Sequence, residues 1–171
     1  KPPAQPNQKP INFRITDDDL GAGGAKTKFK ANIEAIRLLQ TLDAEQRQAT
    51  AEEQEVLSRY VGWGGIPQAF DEKNADWAKE YAELKSLLPA DEYSEARAST
   101  LNAFYTSPTV IKAIYEALSN MGLSKGNVLE PSCGVGNFMG LVPESMENIK
   151  MYGVELDSVS GRIAQQLYQK N

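Results

Sequence analysis

Between residues 128 and 156 the chain runs VLEPSCGVGNFMGLVPESMENIKMYGVEL. Two short apolar runs, 128–130 and 151–156, flank a glycine-rich bend and a stretch with room for one short helix near 138–142. Strands joined through such a crossover lie side by side and parallel, with a right-handed connection. This pairing constrains the fold more than any other feature, because it places the bend after the first strand beside the end of the second.

The residues at that edge suggest a ligand. Gly134 and Gly136 lack the Cβ atoms that would obstruct a molecule approaching the backbone N–H groups. The second run reaches Glu155, nineteen residues after Gly136. A carboxylate near that separation can accept hydrogen bonds from both hydroxyls of a ribose. The order of strand, glycine bend, helix, strand and acid is half of a Rossmann-type nucleotide site. In the dinucleotide fingerprint G-x-G-x-x-G, however, the third glycine stands one place earlier than Gly140 does here, and Glu130 precedes Gly134 by four residues. A carboxylate there repels a pyrophosphate but not a ligand that carries a positive charge and an amine on a ribose and adenine. S-adenosylmethionine meets that description, and charge favours it over a nicotinamide dinucleotide.

Composition narrows the chemistry further. Histidine is absent, which excludes a Ser-His-Asp triad and His metal ligands, and the single cysteine, Cys133, excludes an internal disulfide. A reducing, cytoplasmic setting is expected, with no membrane partner and no metal. The net charge is −5 over 171 residues, so little nucleic-acid binding is expected from this chain alone.

Upstream, the proline-rich stretch 1–10 and the acidic, glycine-rich stretch 11–25 read as a flexible lead-in, and an opening without Met reads as a piece of a longer protein. Region 26–101 is expected to be helical. Phe29, Ile33, Ile36 and Leu39 mark one helix, 51–60 a second, Trp77 to Leu88 a third, and 91–101 a weak fourth. From residue 102 onward, Ser107 can cap a helix with Pro108 at its first position and Ile111, Ile114, Tyr115 and Leu118 on one face, stopped by Gly122. A last helix buries Val159, Ile163 and Leu167. The expected fold class is helix-rich α/β: a truncated Rossmann-like half of about two parallel strands, 102–171, preceded by the helical region.

VLEPSCGVGNF resembles motif I of the class I S-adenosylmethionine-dependent methyltransferases, in the version used by the N6-adenine DNA enzymes. YGVELD resembles their motif II, and FYTSPTVIKAIYEAL the segment preceding motif I. NFRITDDDLGAGGAKTKFKANIEAIRLL and YVGWGG resemble the start of the large methyltransferase–helicase proteins of phages and mobile elements, the DarB-like antirestriction group. The resemblance implies that S-adenosylmethionine is the cofactor and that DNA is the partner of the full-length parent. It implies that Glu130 sits by the methionine amine and that the backbone of Pro131, Ser132, Cys133, Gly134 and Gly136 lines the cofactor, with Asn137 and Phe138 following. It further implies that Glu155 holds the ribose, that Leu156 packs near the adenine, and that Tyr105, Thr106 and Pro108 close the methionine end. No catalytic residue is assigned, because the Pro-Pro-aromatic acceptor motif of those enzymes does not occur here; the only Pro-Pro is at 2–3. The chain is therefore expected to bind cofactor without methylating DNA by itself.

Blander readings remain for several features. The bend could be an ordinary βα connection, and Tyr105 with Thr106 a helix lead-in. GAGGAKT, 21–27, is not a phosphate loop, since Ala25 stands where glycine is required. Trp63 reads as a packing anchor, Cys133 as a small turn residue, and 17–19 as a solvated loop. An unpaired edge on the first strand is a liability. Either the helical region covers it or two copies associate there, and the whole chain could instead be an interaction module on a methyltransferase half-fold.

Overall fold

The computed structural model describes residues 9–146 and 148–171, so most of the expected proline-rich lead-in lies outside the described residues. Seven α-helices and one two-stranded parallel sheet make up the fold: α1 Ala25–Glu45, α2 Ala51–Leu57, α3 Ala78–Leu87, α4 Ala90–Ser99, α5 Pro108–Asn120, β1 Lys125–Glu130, α6 Asn137–Gly140, β2 Asn148–Gly153 and α7 Ser158–Leu167. The result is the expected helix-rich α/β class.

In α1 the apolar spacing does what its period predicts, and Phe29, Ile33, Ile36, Leu39 and Leu42 are all buried. Thr50 and Glu53 start α2 with a reciprocal capping box. That helix stops at Leu57 rather than at residue 60. Arg59 and Tyr60 bond three residues back, to Val56 and Leu57, and this tightened turn delivers Tyr60 to the core at 2% exposure. Trp63 is indeed an anchor, 2% exposed and packed against Phe29, Tyr60 and Phe70 with ring centroids 6.1, 6.5 and 5.3 Å away. Asn32, fully buried in α1, ties this loop down: its amide donates to the Gly62 carbonyl at 2.6 Å and its oxygen accepts from Val61 N at 2.9 Å.

Three expectations need correction. The second strand spans Asn148–Gly153, not 151–156; its register runs from Lys125↔Asn148 to Glu130↔Gly153. Pairing with β1, rather than apolar content, defines it, so polar Asn148 and Lys150 belong to the strand while 154–156 leave it. Ile114 does not share the buried face of α5: Ile111 and Tyr115 are buried, whereas Ile114 lies with Val110 on the outer side. Ser107 stands at the N-cap of α5 without a side-chain cap bond.

Nor is 11–15 a loose loop. Phe13 N bonds Leu167 O, Gln169 N bonds Ile11 O, Asn12 bridges Tyr168 in antiparallel fashion, and Ile15 N bonds Gly140 O, with Phe13 and Ile15 buried. This strap lies across the end of α7 and the turn after β1. The expected boundary at 101/102 is not a boundary in the core either. One apolar cluster runs from Phe13 to Tyr168. Both α1 and α2 pack on α7. Buried Gln54 donates to the carbonyls of Gln166 and Leu167 at 2.8 and 3.2 Å, and Arg162 of α7 pairs with Asp43 and Glu92.

The helices cover one face of the sheet only. Ile149 and Met151 of β2 are buried, while Leu129 and its partner Tyr152 stand 61% and 43% exposed on the other face. Among the described residues no third strand pairs the outer edge of either strand. Among the described residues no helix is long and apolar enough to cross a membrane.

Candidate functional site

The bend after β1 is held by the protein's own backbone before any side chain is considered. Val154 N donates to Glu130 O at 2.9 Å, Cys133 N donates to Val154 O at 3.0 Å, and Gly136 N closes back on Cys133 O at 2.8 Å. Gly134 and Gly136 take φ of +55° and +84°, in the left-handed region that side chains rarely adopt. The two glycines therefore permit the bend itself, independent of any ligand.

Glu155 is aimed at this bend. Its Oε2 accepts from Gly134 N at 2.7 Å, and its Oε1 accepts from Leu156 N and Asp157 N at 2.8 and 2.9 Å. One carboxylate thus joins the end of β2 to the turn after β1, and the partners it holds are the chain's own amides. Asp157 caps α7, accepting from Ser160 N at 2.8 Å. An acid followed by the apolar spacing of α7 is a readable cap signal that the sequence reading did not use.

Glu130 ends β1 half-buried. Burial raises its pKa, and no cation among the described residues pairs with it. A partly desolvated, unpaired carboxylate is stabilised by an arriving positive charge. Cys133 is inert by the same criterion: burial, with Glu155 and Glu130 nearby, pushes its thiol up.

The space over the glycines differs from the sequence expectation. A Cβ on Gly134 would stand 2.9 Å from the Tyr105 ring, and one on Gly136 would stand 2.4 Å from the Tyr168 ring. A Cβ on Gly140 would stand 2.6 Å from the Tyr168 hydroxyl and 2.8 Å from Ile15. The backbone is bare there because the protein's own rings lie against it. Tyr168 and Ile15 gave no sequence signal, since both reach the turn from outside the β1–α6–β2 unit.

The remaining candidates divide. Tyr105, Thr106, Pro108 and Asn137 line a cavity of about 380 Å³ together with Asp19 and Tyr60, and Asn137 Nδ2 donates to Thr106 O at 3.4 Å. Cys133 and Glu155 line a second cavity of about 540 Å³, with Met139, Tyr152, Val154 and Tyr168. Glu130, Gly134 and Gly136 line neither, and Tyr105 packs on Gly134. Pro131 and Ser132 are exposed, and half-buried Phe138 uses its carbonyl to accept from the Tyr115 hydroxyl at 2.8 Å. Leu156 is 97% exposed and projects into solvent. Among the described residues no group of three or more acidic or thiol side chains is placed to hold a metal ion.

No family model matches the chain, and no solved structure does. A curated relative is similar to it: "Defense against restriction protein B" of Escherichia phage P1, 26% identical over 165 residues, which are 96% of this chain and 6% of the relative. The chain is a distant homologue of a small part of that antirestriction protein.

Proposed function

We propose that the chain is the cofactor-binding portion of an S-adenosylmethionine-dependent methyltransferase of the DNA adenine-N6 type, within an antirestriction protein whose other parts supply the acceptor site and the contact with DNA. The observation that carries this reading is the Glu155 carboxylate held 2.7 Å from Gly134 N across the ends of two parallel strands. The likeness of 104–118, 128–138 and 152–157 to methyltransferase motifs supports it.

The donor and acceptor set fits the cofactor. Glu155 would accept from the ribose at the acceptor site that its bonds to Gly134, Leu156 and Asp157 leave open. Glu130 would face the amine and sulfonium, whose charge offsets its burial. Tyr105, Thr106, Pro108 and Asn137 would wall the methionine end. When bound, the cofactor supplies an electrophilic methyl group; this chain's residues bind and orient it and exclude water. Methyl transfer by the chain alone is not part of this reading, because no acceptor motif is present.

Isothermal calorimetry with S-adenosylhomocysteine, the demethylated product, tests the proposal. Binding that weakens by about 1.5–3 kcal/mol in Glu155→Gln fits a charge-assisted acceptor. Failure of the intact, folded chain to bind either form sinks it.

A second reading, a non-catalytic interaction module, has its own support in the exposed apolar side chains Leu129, Tyr152 and Val154 on and beside the sheet. Association of two copies at the open β1 edge belongs to it. Concentration-dependent sedimentation without cofactor binding selects that reading.

A further inference from the structure

The loop YVGWGG, 60–65, lends Tyr60, Val61 and Gly64 to the cavity proposed for the methionine end, and its glycines are as constrained as those of the bend. Gly64 N donates to Ala103 O at 3.1 Å, and a Cβ at Gly64 would stand 2.2 Å from that same carbonyl oxygen. The obstructing atom is backbone, so it cannot swing aside. Gly62 has φ +68°, and a Cβ there would stand 3.2 Å from the Tyr105 ring and 3.5 Å from the Ala103 methyl. From behind, Asn32 and the buried Trp63 hold the loop in place. The 103–105 segment therefore lies flush on this loop, and the Tyr105 ring stands between glycines of two separate loops, Gly62 on one side and Gly134 on the other.

The ring is also fixed at its tip. The Tyr105 hydroxyl and Ser160 Oγ are 2.7 Å apart, and Ser160 Oγ donates to the Asp157 carboxylate. Asp157 N donates to Glu155 Oε1 at 2.9 Å, and Glu155 Oε2 accepts from Gly134 N, which brings the circuit back to the ring. Five residues thus form a closed circle of contacts, in which the acid proposed to hold the ribose is one member and Tyr105 another. The 60–65 loop is what sets Tyr105 at its position in that circle.

We infer that YVGWGG is a positioning element: by seating Tyr105 on Gly134 it holds the cofactor turn and Glu155 in their binding geometry. Ligand affinity at the turn is then controlled from Gly62 and Gly64. The inference rests on the reading that the turn binds S-adenosylmethionine, but its first test does not.

That test is amide hydrogen exchange at Cys133, Gly134 and Gly136 in Gly64→Ala, compared with Leu84→Ala, a fully buried position in α3 outside this circle. With the two variants compared at matched global stability, exchange at the three turn amides is expected to rise at least tenfold in Gly64→Ala and not in Leu84→Ala. S-adenosylhomocysteine affinity is expected to fall at least tenfold in Gly64→Ala alone. Equal exchange in the two variants overturns the inference. If Gly64→Ala does not fold, Gly62→Ala replaces it, setting a methyl 3.2 Å from the Tyr105 ring at a left-handed position, with the same expected and overturning results. Faster exchange at the turn in a chain that binds no S-adenosylhomocysteine upholds the positioning role and rejects the cofactor reading.

Discussion

The helical stretch 25–99 and the α/β stretch beyond it treat apolar side chains in opposite ways. In the first, Trp63, Leu42, Leu57, Ile66 and Leu84 are at most 2% exposed, and the aromatic cluster around Trp63 is closed on itself. Among the described residues every exposed large apolar side chain lies at 101 or later, from Leu101 at 85% to Leu156 at 97%. Parallel sheets are ordinarily covered on both faces, and this one is covered on one. The helical stretch therefore holds most of the chain's cohesion and lends it to the candidate site through α7, while the sheet carries surface that no described element covers.

The sharpest way to break that contrast is at Trp63. Trp63→Ala removes a buried indole from the closed cluster, and the expected loss is about 3–5 kcal/mol in denaturant unfolding. Because the core is continuous, far-UV signal and Tyr or Trp signals from both stretches are expected to fall in one transition. Two separate transitions would restore the boundary at 101/102.

Next in size is Gly136→Ala. It places a methyl 2.4 Å from the Tyr168 ring at a left-handed position, and a loss of about 1–3 kcal/mol is expected in the same melts. A neutral result would mean that Tyr168 does not pack on the bend.

Glu130 gives a test with a definite sign. Burial raises its pKa, so the folded chain holds this proton more tightly than the unfolded chain does. The stabilisation from that proton is complete below the ordinary carboxylate range and is lost as pH rises through the raised value. Glu130→Gln is therefore expected to be more stable than the parent at neutral pH, with the two converging as the pH falls into the carboxylate range. If the cofactor reading holds, the same variant binds S-adenosylmethionine more weakly. Gain in stability paired with loss of binding is what a group kept for a cation would show; gain without loss would assign Glu130 no role in binding.

The smallest effect is expected on the open surface. Leu156→Ser changes a side chain that is 97% exposed, and a shift within about 0.5 kcal/mol is expected by thermal melting. A larger loss would mean that this surface is covered in solution.

How much of this was legible depended on the distance over which each signal acts. The faces of α1 and α7 and the left-handed bend are local, and their residues could be read directly: Phe29 to Leu42 by spacing, Gly134 and Gly136 by type. The alignment of Glu155 with Gly134 was legible because a βαβ unit restricts where the second strand can end. The first half of β1 was not, since Lys125, Gly126 and Asn127 are strand only through their partners Asn148, Ile149 and Lys150. Burial of Phe13 and Ile15 depends on contacts between distant parts of the chain, and the rings on the bend come from outside the β1–α6–β2 unit, so no local pattern encodes either.

One of those contacts bears on how the chain comes to be made. Ile11 N donates to Gln169 Oε1 across 158 positions, and Phe13 bonds Leu167. During synthesis Ile11 emerges 158 positions ahead of the partner it docks on. Wide separations of this kind slow folding and prolong the exposure of unburied side chains. Phe13 and Ile15 thus stay without their partners until residues 167 and 140 have been made, two apolar side chains open to capture by a chaperone or a neighbouring nascent chain in that interval.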